Sequence, residues 1–313
     1  MKRAAFLTSG ALAVAAVGLD EQPSAGAILS VRAAGTPSDD SVSVVYAQKA
    51  GLFQKAGLDV VLDRQSSGAA VAAAVASGAY DIGKSSITSL FDAHERGIPF
   101  LMIAPSVVYD RAAPYAGLIV RKDAGVRTGK DANNGVVAVA ALSDIGRLAM
   151  QAWVDQNGGD PTTLRFVEIP FPAVPAAVDE GRVIAGEMSM PTMAAALATG
   201  KFRLIPAYDA IATSYLNTAW FTTADYATKN PAIVRTFARV LGESAAYTNK
   251  HHRETAAMMA EFTGATLDII SHMTRATDGI GLTPEEIQPV IDAAVKYGTI
   301  KRAFLAQELI YKG

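Results

Sequence analysis

The sequence predicts an α/β protein of two similar units, each a mainly parallel sheet flanked by helices, joined by two crossover segments. Three observations predict it. Short apolar strands alternate with amphipathic helices from residue 28, and the same rhythm restarts near residue 112. The loops that lead from strand to helix are rich in Ser, Gly and Asp, the residues that turn a chain and cap a helix. Residues 210–313 carry helical periodicity with little strand, so they are expected to pack back on the first unit.

The elements follow in order. Residues 27–34 (AILSVRAA) read as a strand, and Thr36-Pro37-Ser38-Asp39-Asp40-Ser41 as a turn with several N-cap candidates. A helix over 44–50 stops at Gly51, and Leu58–Leu62 is a β-rich strand. Ser66-Ser67-Gly68 opens a helix through Ala76 that Gly78 ends. Residues 80–83 form a short strand, Ser85-Ser86 cap a helix to about Arg96, and Phe100–Ala104 is a strand. In the second unit, 115–120 and 136–140 are strands, and Leu142-Ser143-Asp144 caps a helix to about Asn157. After the turn Gly158-Gly159-Asp160-Pro161 come strand 164–169, helix 174–180, short strand 183–186, helix 191–199 and a last strand at 204–205. The tail reads as helices from Pro231 to about Asn249 and over 254–262, 267–274, 284–297 and 300–309. This gives a first lobe of 28–110 with 212–313, a second lobe of 111–211, and crossings near 107–114 and 206–219.

The 313 residues carry a net charge of −2, and no basic stripe with interleaved aromatics is present, so no nucleic-acid partner is expected. The first 27 residues stand apart. Met1-Lys2-Arg3 is basic, Phe6–Leu19 is an uncharged run of about 14 residues, and Ala25-Gly26-Ala27 follows a polar stretch. This is the layout of a cleaved secretory signal, too short for a span of roughly 20 residues. Pro23 and Gly26 count against a buried first helix. Residues 1–27 are therefore expected to be removed after Ala27, and the mature chain to work in the periplasm of a Gram-negative cell. The absence of cysteine rules out disulfides, a thiol nucleophile, Cys-ligated zinc and a lipidated cysteine.

Certain stretches resemble a known family. QKAGLFQKAGLDVVL (48–62), VAAAVASGAYDIGKSSITSL (71–90) and RGIPFLMIAP (96–105) are similar to the solute-binding proteins of ABC importers for nitrate, sulfonate, taurine and thiamine-precursor pyrimidines. Gly51-Leu52-Phe53, Gly57-Leu58-Asp59-Val60 and the 77–83 segment match the family pattern in order and spacing. In the second unit WVDQNGGDPTTLRFVEIP and VPAAVDEGRVIAGEMSMPTMAAAL resemble the family's A-G-L-D-P turn and its V-D-A to E-P segment, and YTNKHHRETAAMMAEFTG resembles its tail. Two departures stand out. Gly186 occupies the place of the usual Asp and Met190 that of the usual Glu, with Glu187 three residues earlier. The resemblance implies a two-lobed type II periplasmic-binding-protein fold. It also implies a monomer that captures a small organic solute, such as a sulfonate, an aromatic carboxylate or a pyrimidine, and hands it to ABC permease subunits.

Helix N-termini leave N–H groups unpaired and carry partial positive charge, so several converging on one cleft hold a polar or anionic group. In open α/β sheets the crevice lies outside the C-terminal strand ends. That places Asp39, Asp40, Ser41, Ser66, Ser67, Gly68, Ser85 and Ser86 on one lip, with Ser143, Asp144, Glu187, Met188 and Ser189 facing them. Asp39 and Asp40 either shape a turn or favour a cationic or donor-rich solute over an anion. Tyr109, Tyr115 and Trp220 flank the crossings, where aromatics either sandwich a solute or pack between lobes. Arg111 either pairs a ligand carboxylate or sulfonate, or is a solvated hinge arginine or a partner for Asp110. His251-His252 are adjacent and so do not share a helix face; no metal, cofactor or catalytic residue is expected. Two alternatives stand beside a transport role: a cofactor- or pyrimidine-metabolising enzyme on the same fold, and a receptor module that reports ligand to a sensor.

Overall fold

The computed structural model describes residues 28–123 and 125–313; the expected signal segment lies outside them. The strands are β1 (Leu29–Gly35), β2 (Leu58–Arg64), β3 (Ile82–Ser86), β4 (Phe100–Pro105), β5 (Val107–Asp110), β6 (Ala116–Arg121), β7 (Val136–Val139), β8 (Arg165–Glu168), β9 (Ala185–Ser189), β10 (Phe202–Ile205), β11 (Ser214–Leu216), β12 (Thr218–Thr223) and β13 (Thr277–Asp278). One sheet has the order β2-β1-β3-β12-β4, the other β8-β7-β9-β6-β10. The two orders are the same pattern. In each, the second strand, β1 or β7, runs parallel to its two neighbours, and the fourth strand is antiparallel to those beside it. That fourth strand enters just after a crossover: β6 follows β5, and β12 follows β11. A third, small antiparallel sheet, β11-β5-β13, pairs the two crossover segments with each other, Tyr215 opposite Tyr109.

Position in the sheet accounts for the burial patterns. β2 is an edge strand, and Leu58 and Val60 are buried while Asp59 and Val61 are exposed. β3 is central and all five of its residues are buried, polar ones included. Helix Gly68–Ala76 starts where the Ser67 hydroxyl accepts the Ala70 N–H at 3.2 Å. It stops at Gly78, whose φ of +77° suits glycine. Helix Pro231–Thr248 buries Ile233, Val234, Phe237, Val240 and Leu241 on one stripe against the outer face of the first sheet. No helix of the described residues is long and apolar enough to cross a membrane.

The structure departs from the sequence reading in three places. The tail contains strands: β12 inserts into the first sheet between β3 and β4, and β11 and β13 flank β5. Residues 300–309 form a short 3₁₀ turn, Ala306–Glu308, rather than a helix. The chain there lies along the open edge of β4, where the Met102 N–H donates to the Leu309 carbonyl at 2.7 Å and the Tyr311 N–H to the Met102 carbonyl at 2.9 Å. Unpaired edge groups of β4 take these backbone partners in place of helical ones. Finally, β3 and β9 are displaced toward their C-terminal ends relative to expectation, so Ser85, Ser86, Glu187 and Ser189 are strand residues rather than loop residues.

Candidate functional site

A cavity of about 300 Å³ lies between the two large sheets. Its lining comes from the C-terminal ends of parallel strands and the loops after them: Ser38 and Asp40 after β1, Ser66 and Ser67 after β2, Ser85 and Ser86 on β3. From the second sheet come Ala140 after β7, Phe171 after β8, and Glu187 and Ser189 on β9. This is the crevice that strand topology dictates for an open α/β sheet.

The first wall balances its charges internally. The Lys84 side chain, 1% exposed, is ion-paired with Asp40 and donates to the Ser41 hydroxyl at 2.9 Å. Burial pushes the Lys84 ammonium down, and the Asp40 carboxylate opposes that shift. Behind it, fully buried Asp39 receives Arg275 through Nε at 2.9 and 3.0 Å and the Ala276 N–H at 2.6 Å. Burial pushes the Asp39 carboxyl up, and the Arg275 guanidinium opposes it. Arg275 in turn donates to the His252 carbonyl at 2.9 Å. Such pairs need both partners, because a lone buried charge is far costlier than the pair.

The second wall carries two carboxylates with no basic side chain bonded to either. Asp144 caps helix Ile145–Gln156, its Oδ1 accepting the Ile145 N–H at 2.7 Å. Glu187, 2% exposed, accepts the Ala140 N–H at 2.9 Å and the Tyr208 hydroxyl at 2.7 Å. Its carboxyl fills the space over Gly146: a Cβ there would stand 2.2 Å from the Glu187 carboxyl carbon. Burial, reinforced by the Asp144 charge, raises the Glu187 carboxyl to about 8. Burial also pushes Asp144 up, against the Ile145 N–H. Tyr208 and Tyr115 are pushed well up, first by burial.

The structure brings Asp40, Ser66, Ser67, Gly68, Ser85, Ser86, Tyr115, Asp144, Glu187 and Ser189 to the cavity. It places the other six candidates elsewhere. Asp39 lies behind the wall with Arg275, and Ser41 is a buried partner of Lys84. Met188 alternates with Glu187 and Ser189 on β9 and points into the core. Ser143 meets Ser89 from the other half, hydroxyl to hydroxyl at 3.2 Å. Tyr109 sits in the crossover ribbon, donating to Asp209 at 2.6 Å and stacking on Tyr215. Trp220 is fully buried against Phe237 on the outer face of the first sheet. Arg111 pairs with Asp209 at 3.3 Å rather than with Asp110, whose Oδ1 accepts the Ala112 N–H at 2.9 Å.

Lys84, Asn217, Tyr208 and Phe171 line the cavity without having been singled out. Lys84 lies between the expected strand 80–83 and the Ser85-Ser86 cap, with no local mark of burial; the available signal was the Asp39-Asp40 pair, which once buried demands cations. Tyr208 and Asn217 lie in the second crossover, whose fold has no local pattern. Among the described residues no group of His, Cys, Asp and Glu has metal-holding geometry.

The sequence model of one protein family, NMT1/THI5 like, matches residues 39–255. No curated protein matches the chain. Among solved structures, the ligand-binding component of an ABC-type import system from Staphylococcus aureus, with zinc bound, superposes with a TM-score of 0.79 at 13% identity. That match covers 90% of this chain and 96% of the other. The periplasmic aliphatic sulphonate-binding protein SsuA of Escherichia coli gives 0.72 at 18% identity, covering 91% and 98%. The periplasmic nitrate-binding protein NrtA of Synechocystis PCC 6803 gives 0.74 at 13% identity, covering 87% and 82%. At these identities the likeness concerns the fold, which is the periplasmic-binding-protein fold.

Proposed function

We propose, from the premise that the chain belongs to the NMT1/THI5-like family, that it is the periplasmic solute-binding subunit of an ABC importer. It captures a small organic solute between two lobes, 28–110 with 212–313 and 111–211, and delivers it to a permease without changing it chemically. The observation that carries this reading is the cavity itself: both sheets turn their C-terminal strand ends toward it, and two paired crossover strands link the halves. The fold neighbours include sulphonate- and nitrate-binding periplasmic proteins, and the arrangement suits hinge closure around a ligand. In that reading contacts between the halves hold the closed form, among them Asp39 N–H to the Met190 carbonyl at 3.1 Å, Ser89 with Ser143, and Asp155 with Lys296 and Tyr297. A few convergent hydrogen bonds and an aromatic wall suffice for affinity near micromolar, about −8 kcal/mol.

The test is a thermal-shift screen of the mature chain against sulfonates, carboxylates, pyrimidines and amines. A specific ligand raises the melting point by mass action, and small-angle scattering then reports a smaller radius of gyration. Turnover of a hit, or a hit whose affinity ignores substitutions in the cavity, would refute the reading.

A further inference from the structure

We propose that the cavity takes an organic cation whose charged head carries N–H donors, a protonated amine, amidine or guanidine, held by Asp144 and Glu187 on the second wall. This rests on the solute-binding reading above and names the solute class. The first argument is a charge count. Asp40, Asp144 and Glu187 line the cavity, and Lys84 is the one basic residue among the described lining. The Lys84 ammonium is committed to Asp40 and Ser41. An anionic solute would enter beside Asp144 and the neutral Glu187 carboxyl, with no unengaged cation to meet it.

The second argument concerns the place where an anion would otherwise sit. The N-terminus of helix Ile145–Gln156 opens on the cavity, and such an end attracts negative charge. The protein's own carboxyls already occupy it: Asp144 takes the Ile145 N–H, and Glu187 lies over Gly146. The third argument is independent of the acids. Asn217 Oδ1 and Ser85 Oγ have no hydrogen-bond partner, although Asn217 is 3% and Ser85 1% exposed and both residues line the cavity. A buried acceptor left unmade is costly, and an amide oxygen can only accept, so it calls for a donor. Phe171 and Tyr115 supply aromatic surface to the organic body of such a cation.

Binding has a signature. The groups around Glu187 are Asp144, the Tyr208 hydroxyl and the Ala140 N–H, with the Lys84–Asp40 pair on the opposite wall. Without a cation Glu187 stays protonated up to about pH 8; a cation beside it favours the charged form, so the proton leaves as the solute enters.

The experiment is titration calorimetry of the full mature chain near pH 7, in two buffers of different protonation enthalpy. The probes are benzylamine, benzamidine and agmatine, with benzoate, benzenesulfonate and benzyl alcohol as isosteric controls. The expected result is binding of a cation at least about tenfold tighter than its controls, the ratio that one favourable charge contact gives, with net proton release. Glu187→Gln is expected to abolish that release and, like Asp144→Asn, to weaken cation binding about tenfold. Both variants are checked for cooperative unfolding. Binding of benzoate or benzenesulfonate with inert amines would overturn the cation assignment while leaving the solute-binding reading in place. Silence of every cationic probe would overturn it too, as would cation binding indifferent to both variants. Chemical turnover of an amine would instead sink the binding reading and keep the head-group preference.

Discussion

The two walls of the cavity face each other and handle charge in opposite ways. On the first, Asp39 meets Arg275 and Asp40 meets Lys84, so each acid has a cation within hydrogen-bond reach. On the second, Asp144 and Glu187 lean on backbone N–H groups, a tyrosine hydroxyl and a helix end. The strand order is the same on both sides, so topology does not account for the difference. The first wall is built to stay as it is. The second keeps a buried carboxyl protonated near neutrality and leaves its charge state open to whatever enters.

Substitutions should separate the two walls, and the largest effect belongs to the first. Lys84→Met strands Asp40 in the interior and should destabilise the protein by about 3–5 kcal/mol, measured by urea unfolding. Adding Asp40→Leu should restore most of that loss, since replacing both members of a buried pair is often neutral. A double variant no better than the single one would mean that the pair is not isolated.

Next comes the pH response of the second wall. The Glu187 carboxyl is raised from 4.5 to about 8 by folding. Below 4.5 both states are protonated and the full contribution is present. Between 4.5 and 8 the folded state keeps a proton that the unfolded state has released, so stability falls as pH rises through that window. The fall should amount to roughly a few kcal/mol. Melting curves of Glu187→Gln should lack this component; an unchanged slope in the variant would assign the proton elsewhere.

Smaller effects belong to the frame around the walls. Tyr109→Phe removes the hydroxyl that reaches Asp209 and should cost about 1 kcal/mol by denaturant midpoint. Because that bond lies in the crossover ribbon, its loss should leave solute affinity within about twofold, a difference of a few tenths of a kcal/mol. Ser67→Ala removes the cap of helix Gly68–Ala76 and should cost about 0.5–1 kcal/mol. A larger loss at Ser67 than at Lys84 would reverse the ranking of the first wall.

Local chemistry by itself determined much of this protein. Alternating apolar strands and helices set the α/β class. Pro231, Gly78 and Asp144 marked helix ends where the structure has them. The C-terminal strand ends and the loops after them, both rich in Ser, account for most of the ten of sixteen candidate residues that reach the cavity. These signals are legible because capping, turn formation and strand periodicity act over a few neighbouring residues.

What the tertiary structure alone decided involves partners far apart in the chain. β12 enters the first sheet between β3 and β4, and that pairing buries Trp220 away from the cleft. Lys84 becomes a buried cation only because Asp40, 44 residues away, lies opposite it. The proton on Glu187 depends on Asp144, 43 residues upstream, and on a helix end with no Cβ at Gly146. A side chain's sequence neighbours set its conformation, but its charge and exposure follow from the dielectric and the partners that folding assembles around it, and those are not written locally.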